Sequence, residues 1–276
     1  MYKIGNFLQN DDVNILVQKG AFSVIEWKRD LSVDQFTAQS AWFASEMNVR
    51  RRQVMCSLDT APVTIQAGAM QWSVGNVQAT TGVKSVGDFL GKAVRGAVTK
   101  ESAIKPEYTG SGMLVLEPTY KYILLVDVAE WGGGIILDDG LFLACHSSLK
   151  HQAVARSNFS SAIAGGEGLF NLSLSGSGVV ALESPCPQEE LIEVTLDNDV
   201  MKIDGNMALA WSPSLQFTVE RSSKSLIGSA ASGEGLVNVY RGSGKVLMAP
   251  TIYGTKVPAV ASGAGSGGLG SLADFL

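Results

Sequence analysis

Gly110-Ser111-Gly112-Met113-Leu114-Val115-Leu116-Glu117 recurs as Gly176-Ser177-Gly178-Val179-Val180-Ala181-Leu182-Glu183, and again as Gly242-Ser243-Gly244-Lys245-Val246-Leu247-Met248-Ala249. The differences 176 − 110 and 242 − 176 are both 66. Glycine frees the chain to turn, and the residues after each marker suit the two-residue period of a strand. Each copy therefore reads as a glycine-led turn opening into a strand. Leu114 and Leu116, Val180 and Leu182, and Val246 and Met248 fall on one face, which is assigned to the core. Lys245 falls on the other face with Met113 and Val179, so that face tolerates charge near the strand start.

The same offset carries beyond the marker. Leu137-Asp138-Asp139-Gly140-Leu141-Phe142-Leu143-Ala144 aligns with Ile203-Asp204-Gly205-Asn206-Met207-Ala208-Leu209-Ala210, and Ser148-Leu149 with Ser214-Leu215. Asp, Gly and Asn accept the backbone of tight turns, so each copy is expected to hold a β-hairpin near Asp138–Gly140 or Asp204–Asn206. A fainter earlier copy, Gly68-Ala69-Met70-Gln71-Trp72, fits Gly140–Ala144 at an offset of 72, with Pro62-Val63-Thr64-Ile65-Gln66 as its upstream strand. Gly166-Glu167-Gly168-Leu169-Phe170-Asn171 is echoed 67 residues later by Gly233-Glu234-Gly235-Leu236-Val237-Asn238.

Two segments depart from this pattern. Ser85-Val86-Gly87-Asp88 resembles a capping box, and the apolar spacing after it predicts a helix over about residues 86–99. Residues 33–47 fit either a helix or an extended segment. Beyond Pro258 the composition becomes Gly- and Ser-rich, as in a flexible tail, before the apolar tip Leu272-Ala273-Asp274-Phe275-Leu276. The expected organisation is a first β unit with its extension and linking helix over 1–105, a second over 106–172, a third over 173–258, and the tail over 259–276.

The 276 residues are 46% hydrophobic and 17% charged, enough to bury a substantial core. Lys and Arg number 21 against 26 Asp and Glu, a net charge of −5 that argues against a broad phosphate-binding surface. No apolar run approaches the ~20 residues of a membrane span, and the first residues lack the apolar stretch of a signal peptide. Cys56, Cys145 and Cys186 are odd in number and widely spaced. They fit reduced thiols and a cytoplasmic location, not a disulfide framework or a Cys-x-x-Cys zinc site.

Gly68-Ala69-Met70-Gln71-Trp72, Glu101-Ser102-Ala103-Ile104-Lys105-Pro106, Gly166-Glu167-Gly168-Leu169 and the recurrent Gly-Ser-Gly resemble the bacterial branch of the altered-inheritance-of-mitochondria family. The resemblance runs from about residue 50 to 250. It implies an all-β fold of three fused, tandem copies of the short double-stranded β-helix of the tryptophan RNA-binding attenuation protein (a TRAP-like unit), expected here in a pseudo-threefold arrangement. Ring-like or edge-to-edge self-association would follow from that relationship. The family brings no established catalytic residues, and a shared fold does not confer RNA binding.

The remaining candidates for chemistry each have a structural reading. Asp138 and Asp204, with Glu117 and Glu183, could be paired acids or cation ligands. They also suit turn starts and strand ends, and Ala249 replaces the glutamate in the third copy. Cys145, His146 and His151 form the one cluster of soft ligands. Nucleophilic catalysis would need a base held by a third group, whereas repeat alignment puts Trp211 and Ser212 opposite Cys145 and His146, favouring a structural thiol and a surface histidine. Gly263, Gly265 and Gly268 match Gly-x-Gly-x-x-Gly without a strand before or a βαβ unit after, so the match carries no weight. Arg50-Arg51-Arg52 could meet nucleic acid or acidic lipid, but three charges without regular aromatic neighbours read as a solvated or internally paired cluster. The expectation is a non-enzymatic scaffold or binding protein with no catalytic, cofactor-binding or metal residues and no cofactor. It would partner itself or another protein and have no membrane span, with nucleic acid disfavoured. The alternatives are an RNA- or anion-binding protein and an enzyme using the repeated acids, with or without a divalent cation.

Overall fold

A computed structural model describes residues 2–29, 32–81, 105–155, 170–221 and 236–251. In chain order these form β1 (Val13–Lys19), β2 (Phe22–Trp27), α1 (Ala38–Glu46), β3 (Arg52–Ser57), β4 (Val63–Ile65), β5 (Met70–Thr80), β6 (Glu107–Leu116), β7 (Tyr122–Asp127) and β8 (Gly134–Leu137). Then follow β9 (Phe142–His146), β10 (Lys150–Ala155), β11 (Phe170–Ser175), β12 (Val179–Ser184), β13 (Ile192–Asp204), β14 (Ala208–Trp211), β15 (Gln216–Arg221) and β16 (Leu236–Met248). Among the described residues the fold is all-β apart from α1 and two short 3-10 turns. One sheet runs β1-β2-β3-β6-β4-β9-β12-β7, with β5 also on β6; the other runs β10-β11-β8-β14-β16-β13, with β15 also on β16. Every named ladder is antiparallel.

The Gly-Ser-Gly markers are corners, and only the second separates two strands. In β6, Tyr108 pairs with β4 before the marker and Met113–Val115 pair with β3 after it. In β16, Leu236–Arg241 pair with β15 before it and Val246–Met248 with β14 after it. In the second copy the change is complete: β11 belongs to one sheet and β12 to the other. The leading glycine has φ of 112°, 115° and 116° at Gly110, Gly176 and Gly242, a backbone that side chains disfavour. A strand that changes partners must bend sharply, and glycine supplies the bend.

The predicted hairpins are not formed. Gly140 and Gly205 do turn at positive φ, 76° and 73°. However, β8 pairs with β11 and β14 whereas β9 pairs with β12 and β4, so the Asp138–Gly140 turn passes the chain between sheets. The Asp204–Asn206 turn likewise joins β13 and β14, which lie on opposite sides of β16. Turn chemistry specifies a change of direction; the pairing partners come from distant segments.

Several hydrogen bonds recur at the repeat offsets. Ser148 Oγ donates to Ser177 O at 3.1 Å and Ser214 Oγ to Ser243 O at 2.8 Å. Glu117 N donates to Ala69 O, Glu183 N to Leu141 O and Ala249 N to Met207 O, at 2.7, 2.7 and 2.8 Å. Gln66 N reaches Leu143 O and Asp138 N reaches Leu209 O, each joining one turn to the strand one copy later.

The strands after the markers are buried on both faces. Leu114 and Leu116 enter a cluster with Phe22, Val54 and Ile65, while Val115 enters another with Phe7, Val13 and Ile25. Val180 and Leu182 join Leu124, Ile135 and Leu174, while Val179 and Ala181 face the Phe22 cluster. Val246 and Met248 pack with Trp211 and Tyr240, while Leu247 faces the Leu124 cluster. Each such strand is thus a wall between two cores. The prediction of one core face per strand is corrected to two, and the near-continuous apolar run is what a doubly buried strand requires.

Within 33–47 the helix reading holds over Ala38–Glu46. The helix expected over 86–99, the 166–169 and 233–235 glycine strings and the 259–276 tail lie outside the described residues.

Candidate binding cleft

Helix α1 begins on a side-chain turn. Asp34 Oδ1 accepts from the backbone N–H of Phe36 (2.7 Å) and Thr37 (3.0 Å), and these two bonds hold its carboxyl below the usual carboxylate range. The helix ends where Asn48 takes φ 60°, which asparagine tolerates better than most residues. Val49 N then closes on Ala44 O at 2.8 Å.

The end of α1 is tied to the body by the arginines next to it. Ser45 Oγ donates to Lys28 O (2.7 Å), and Arg50 Nε donates to Ser45 O (3.0 Å). Glu26, buried on β2, receives Arg50 at 3.1 Å and Arg52 at 2.7 Å. Arg52 also donates to Asn48 O and Oδ1 and lies over the Tyr122 ring at 4.2 Å. Arg50 and Arg52 are therefore internally paired, as the structural reading of the cluster expected. Arg52 is buried, so it offers nothing to a phosphate.

Between α1 and the sheet lies a cleft of about 310 Å³, whose lining includes Trp27, Trp42, Val49, Arg50, Arg51 and Tyr120. A shallower depression bearing Asp11, Asp12, Lys28 and Glu46 adjoins it. Asp12 accepts from Arg29 Nε at 2.6 Å, and Lys28 Nζ donates to Asp11 O at 2.9 Å. Trp42 meets Phe43 edge-on at 5.0 Å. Although α1 is apolar, none of its residues is buried. Phe36, Trp42, Phe43 and Met47 are 86%, 59%, 54% and 75% exposed, and Tyr120 is 59% exposed. This surface was missed in the sequence because Trp27, Trp42, Arg50 and Tyr120 are scattered along the chain. The adjacent pair Trp42-Phe43 was its one local signal.

The other candidates are placed apart. Cys145 Sγ lies 3.1 Å from His151 Nε2, but the thiol is buried and burial pushes its pKa up to about 12. Burial also lowers His151, with Lys105 acting in the same direction. A neutral thiol against a weakened base is a poor nucleophile. His146 is a half-buried linker and not the surface residue expected: Ala21 N lies 3.0 Å from its Nε2, Val179 N lies 3.3 Å from its Nδ1, and its ring stacks on Phe22. Glu117 and Glu183 line one groove with Gly68, Gly140 and Phe142, where Lys121 pairs with Glu183 at 2.6 Å; Asp138 and Asp204 do not line it. Among the described residues no group of three His, Cys, Asp or Glu could hold a metal ion, and no helix is long and apolar enough to cross a membrane.

The chain is similar to an X-ray crystal structure of a protein from Streptococcus pyogenes. The TM-score is 0.54 at 26% identity, covering 74% of this chain and 90% of that one. No curated protein matches. The family profile described as mitochondrial biogenesis AIM24 matches residues 43–251, most of both sheets and the C-terminal end of α1. The chain belongs to the AIM24 family.

Proposed function

We infer that this chain is a non-enzymatic scaffold or binding protein whose recognition surface is α1 and the cleft beneath it. The observation that carries the reading is a helix with no buried residue that holds Trp42 and Phe43 in solvent, with exposed Phe36 just before it and exposed Met47 at its C-cap. Helices in proteins draw most of their stability from packing an apolar face, and exposed apolar patches of this kind mark interaction sites. Two anchors, Ser45 to Lys28 and the Glu26 pair with Arg50 and Arg52, hold the helix on a β body. A rigid support lowers the ordering cost of binding. Site-specific photo-crosslinking from position 40 on α1, with position 199 on β13 as control, tests this reading. Crosslinks confined to position 40 and reduced by Trp42→Ala are expected. Equal crosslinking from both positions, or none from position 40, would remove the reading.

A second reading, anion or RNA binding, draws on Arg50 and Arg51 beside Trp27, Trp42 and Tyr120, since single strands stack on aromatics flanked by cations. Affinity for a uridine oligonucleotide that falls steeply with salt would favour it.

The recurring hydrogen bonds and successive buried clusters support three TRAP-like double-stranded β-helix units arranged with pseudo-threefold symmetry, over 1–105, 106–172 and 173–258. The β5–β6 and β10–β11 ladders cross the intervening boundaries, so these units would interlock. Three free cysteines support a cytoplasmic location.

A further inference from the structure

We propose that the exposed face of α1 is a self-complementary interface whose occupant is a second copy of this chain. The proposal rests on the reading of α1 as the recognition surface and names its partner. Phe43 and Met47 are four residues apart and share one face of the helix. Phe36 extends the apolar surface just before the helix, and Trp42 packs edge-on against Phe43. Aromatic side chains cover roughly 150–250 Å² each when buried. At the exposures of Phe36, Trp42, Phe43 and Met47, these four side chains offer on the order of 600 Å² per protomer. A standard interface takes about 800 Å² from each partner.

The charges select the kind of partner. Lys28, Arg29, Arg50 and Arg51 border the cleft, but Asp11, Asp12 and Glu46 stand among them and Glu26 pairs with Arg50. An anionic lipid surface or a nucleic acid favours a rim of one sign. A two-fold interface instead meets itself, so each base must find an acid on the same patch. This rim carries four bases and three acids, so both signs are present on it. The same surface on a second molecule is thus matched in apolar area and in charge.

Light scattering and sedimentation of the full chain across a concentration series test the proposal. The expected result is a concentration-dependent species of twice the 29.1 kDa chain mass. Phe43→Asp and Met47→Asp should each weaken dimerisation roughly thirty-fold or more, as loss of an interface anchor does. Both positions are exposed, so circular dichroism and thermal melting should match the unsubstituted protein. A monomer at every concentration, or a dimer indifferent to both substitutions, overturns the proposal. So does a dimer lost only with Leu16→Lys, which would place the interface on the exposed edge strand β1. Loss on deletion of residues 259–276 would put the C-terminal segment in the cleft instead. Crosslinks from position 40 to a product that is not twice the chain mass would keep the recognition surface and remove the self-association.

Discussion

Sγ of Cys145 lies 3.1 Å from Nε2 of His151, yet the pair is held in its uncharged form. Burial pushes the thiol up to about 12 and the imidazole down, so the geometry of a nucleophile–base pair comes without its protonation states. In the folded protein at mildly alkaline pH, iodoacetamide should label Cys186 first. It is partly exposed, whereas Cys56 and Cys145 are buried. Peptide mapping should show the two buried thiols reacting only as denaturant is added. Labelling of Cys145 ahead of Cys186 would restore the catalytic reading.

His146 gives the fold a pH dependence of definite sign. Its two ring nitrogens face the backbone N–H groups of Ala21 and Val179. A neutral ring has one lone pair for the two, and a protonated ring has none. Burial lowers the folded pKa, opposed by the carboxylate of Asp127, so the unfolded chain binds the proton more readily. Stability is therefore complete above the unfolded value of about 6.5 and declines as pH falls from there toward the folded value. His151 shifts the same way. Urea melts between neutral and mildly acidic pH should show this decline, and His146→Gln should flatten it. An unchanged slope in that variant would assign the effect elsewhere.

The β class was legible because Leu114 and Leu116, Val180 and Leu182, and Val246 and Met248 repeat at period two. The opposite faces were not. Val115, Ala181 and Leu247 look like spare apolar residues until the neighbouring core is present to receive them. The glycine markers announced a bend, but which strands meet on each side of it depends on ladders between distant segments. Lys245 pairs with Glu193 across the β13–β16 ribbon, an arrangement no local pattern reveals. The cleft was hidden for the same reason, its aromatics and cations being neighbours only in space.

Gly20 and Gly110 reject a side chain for different reasons, and a double-mutant cycle separates them. At Gly20, φ is 59°, and an added Cβ would sit 2.5 Å from Cε1 of His146. Gly20→Ala should cost about 2–4 kcal/mol, part from the left-handed backbone and part from the collision. His146→Ala should relieve the second part and leave about 1–2 kcal/mol. At Gly110 the added Cβ would run into the backbone oxygen of Asn76 on β5, which no side-chain truncation can move aside. Gly110→Ala should therefore destabilise the β5–β6 ladder in every background, read as faster amide exchange along Val74–Thr80. Full additivity at Gly20 and His146 would refute the collision.

Glu26 binds two arginines, and their burial predicts unequal roles. The Arg52 side chain is 3% exposed and that of Arg50 28%, while Glu26 is 6% exposed. Removing one partner of a buried ion pair leaves an uncompensated charge, at about 3–5 kcal/mol. Glu26→Gln leaves Arg52 between Asn48 and Tyr122 without the carboxylate it pairs with at 2.7 Å. It should fall in that range by chemical denaturation. Arg50→Ala leaves the Glu26–Arg52 pair intact and should cost only about 1 kcal/mol. Because Arg50 and Arg52 both hold the end of α1, Glu26→Gln should also loosen the helix. Amide exchange along Ala38–Glu46 should then quicken below the global transition, whereas a single concerted transition in Glu26→Gln would show that Ser45 and Lys28 suffice to hold it.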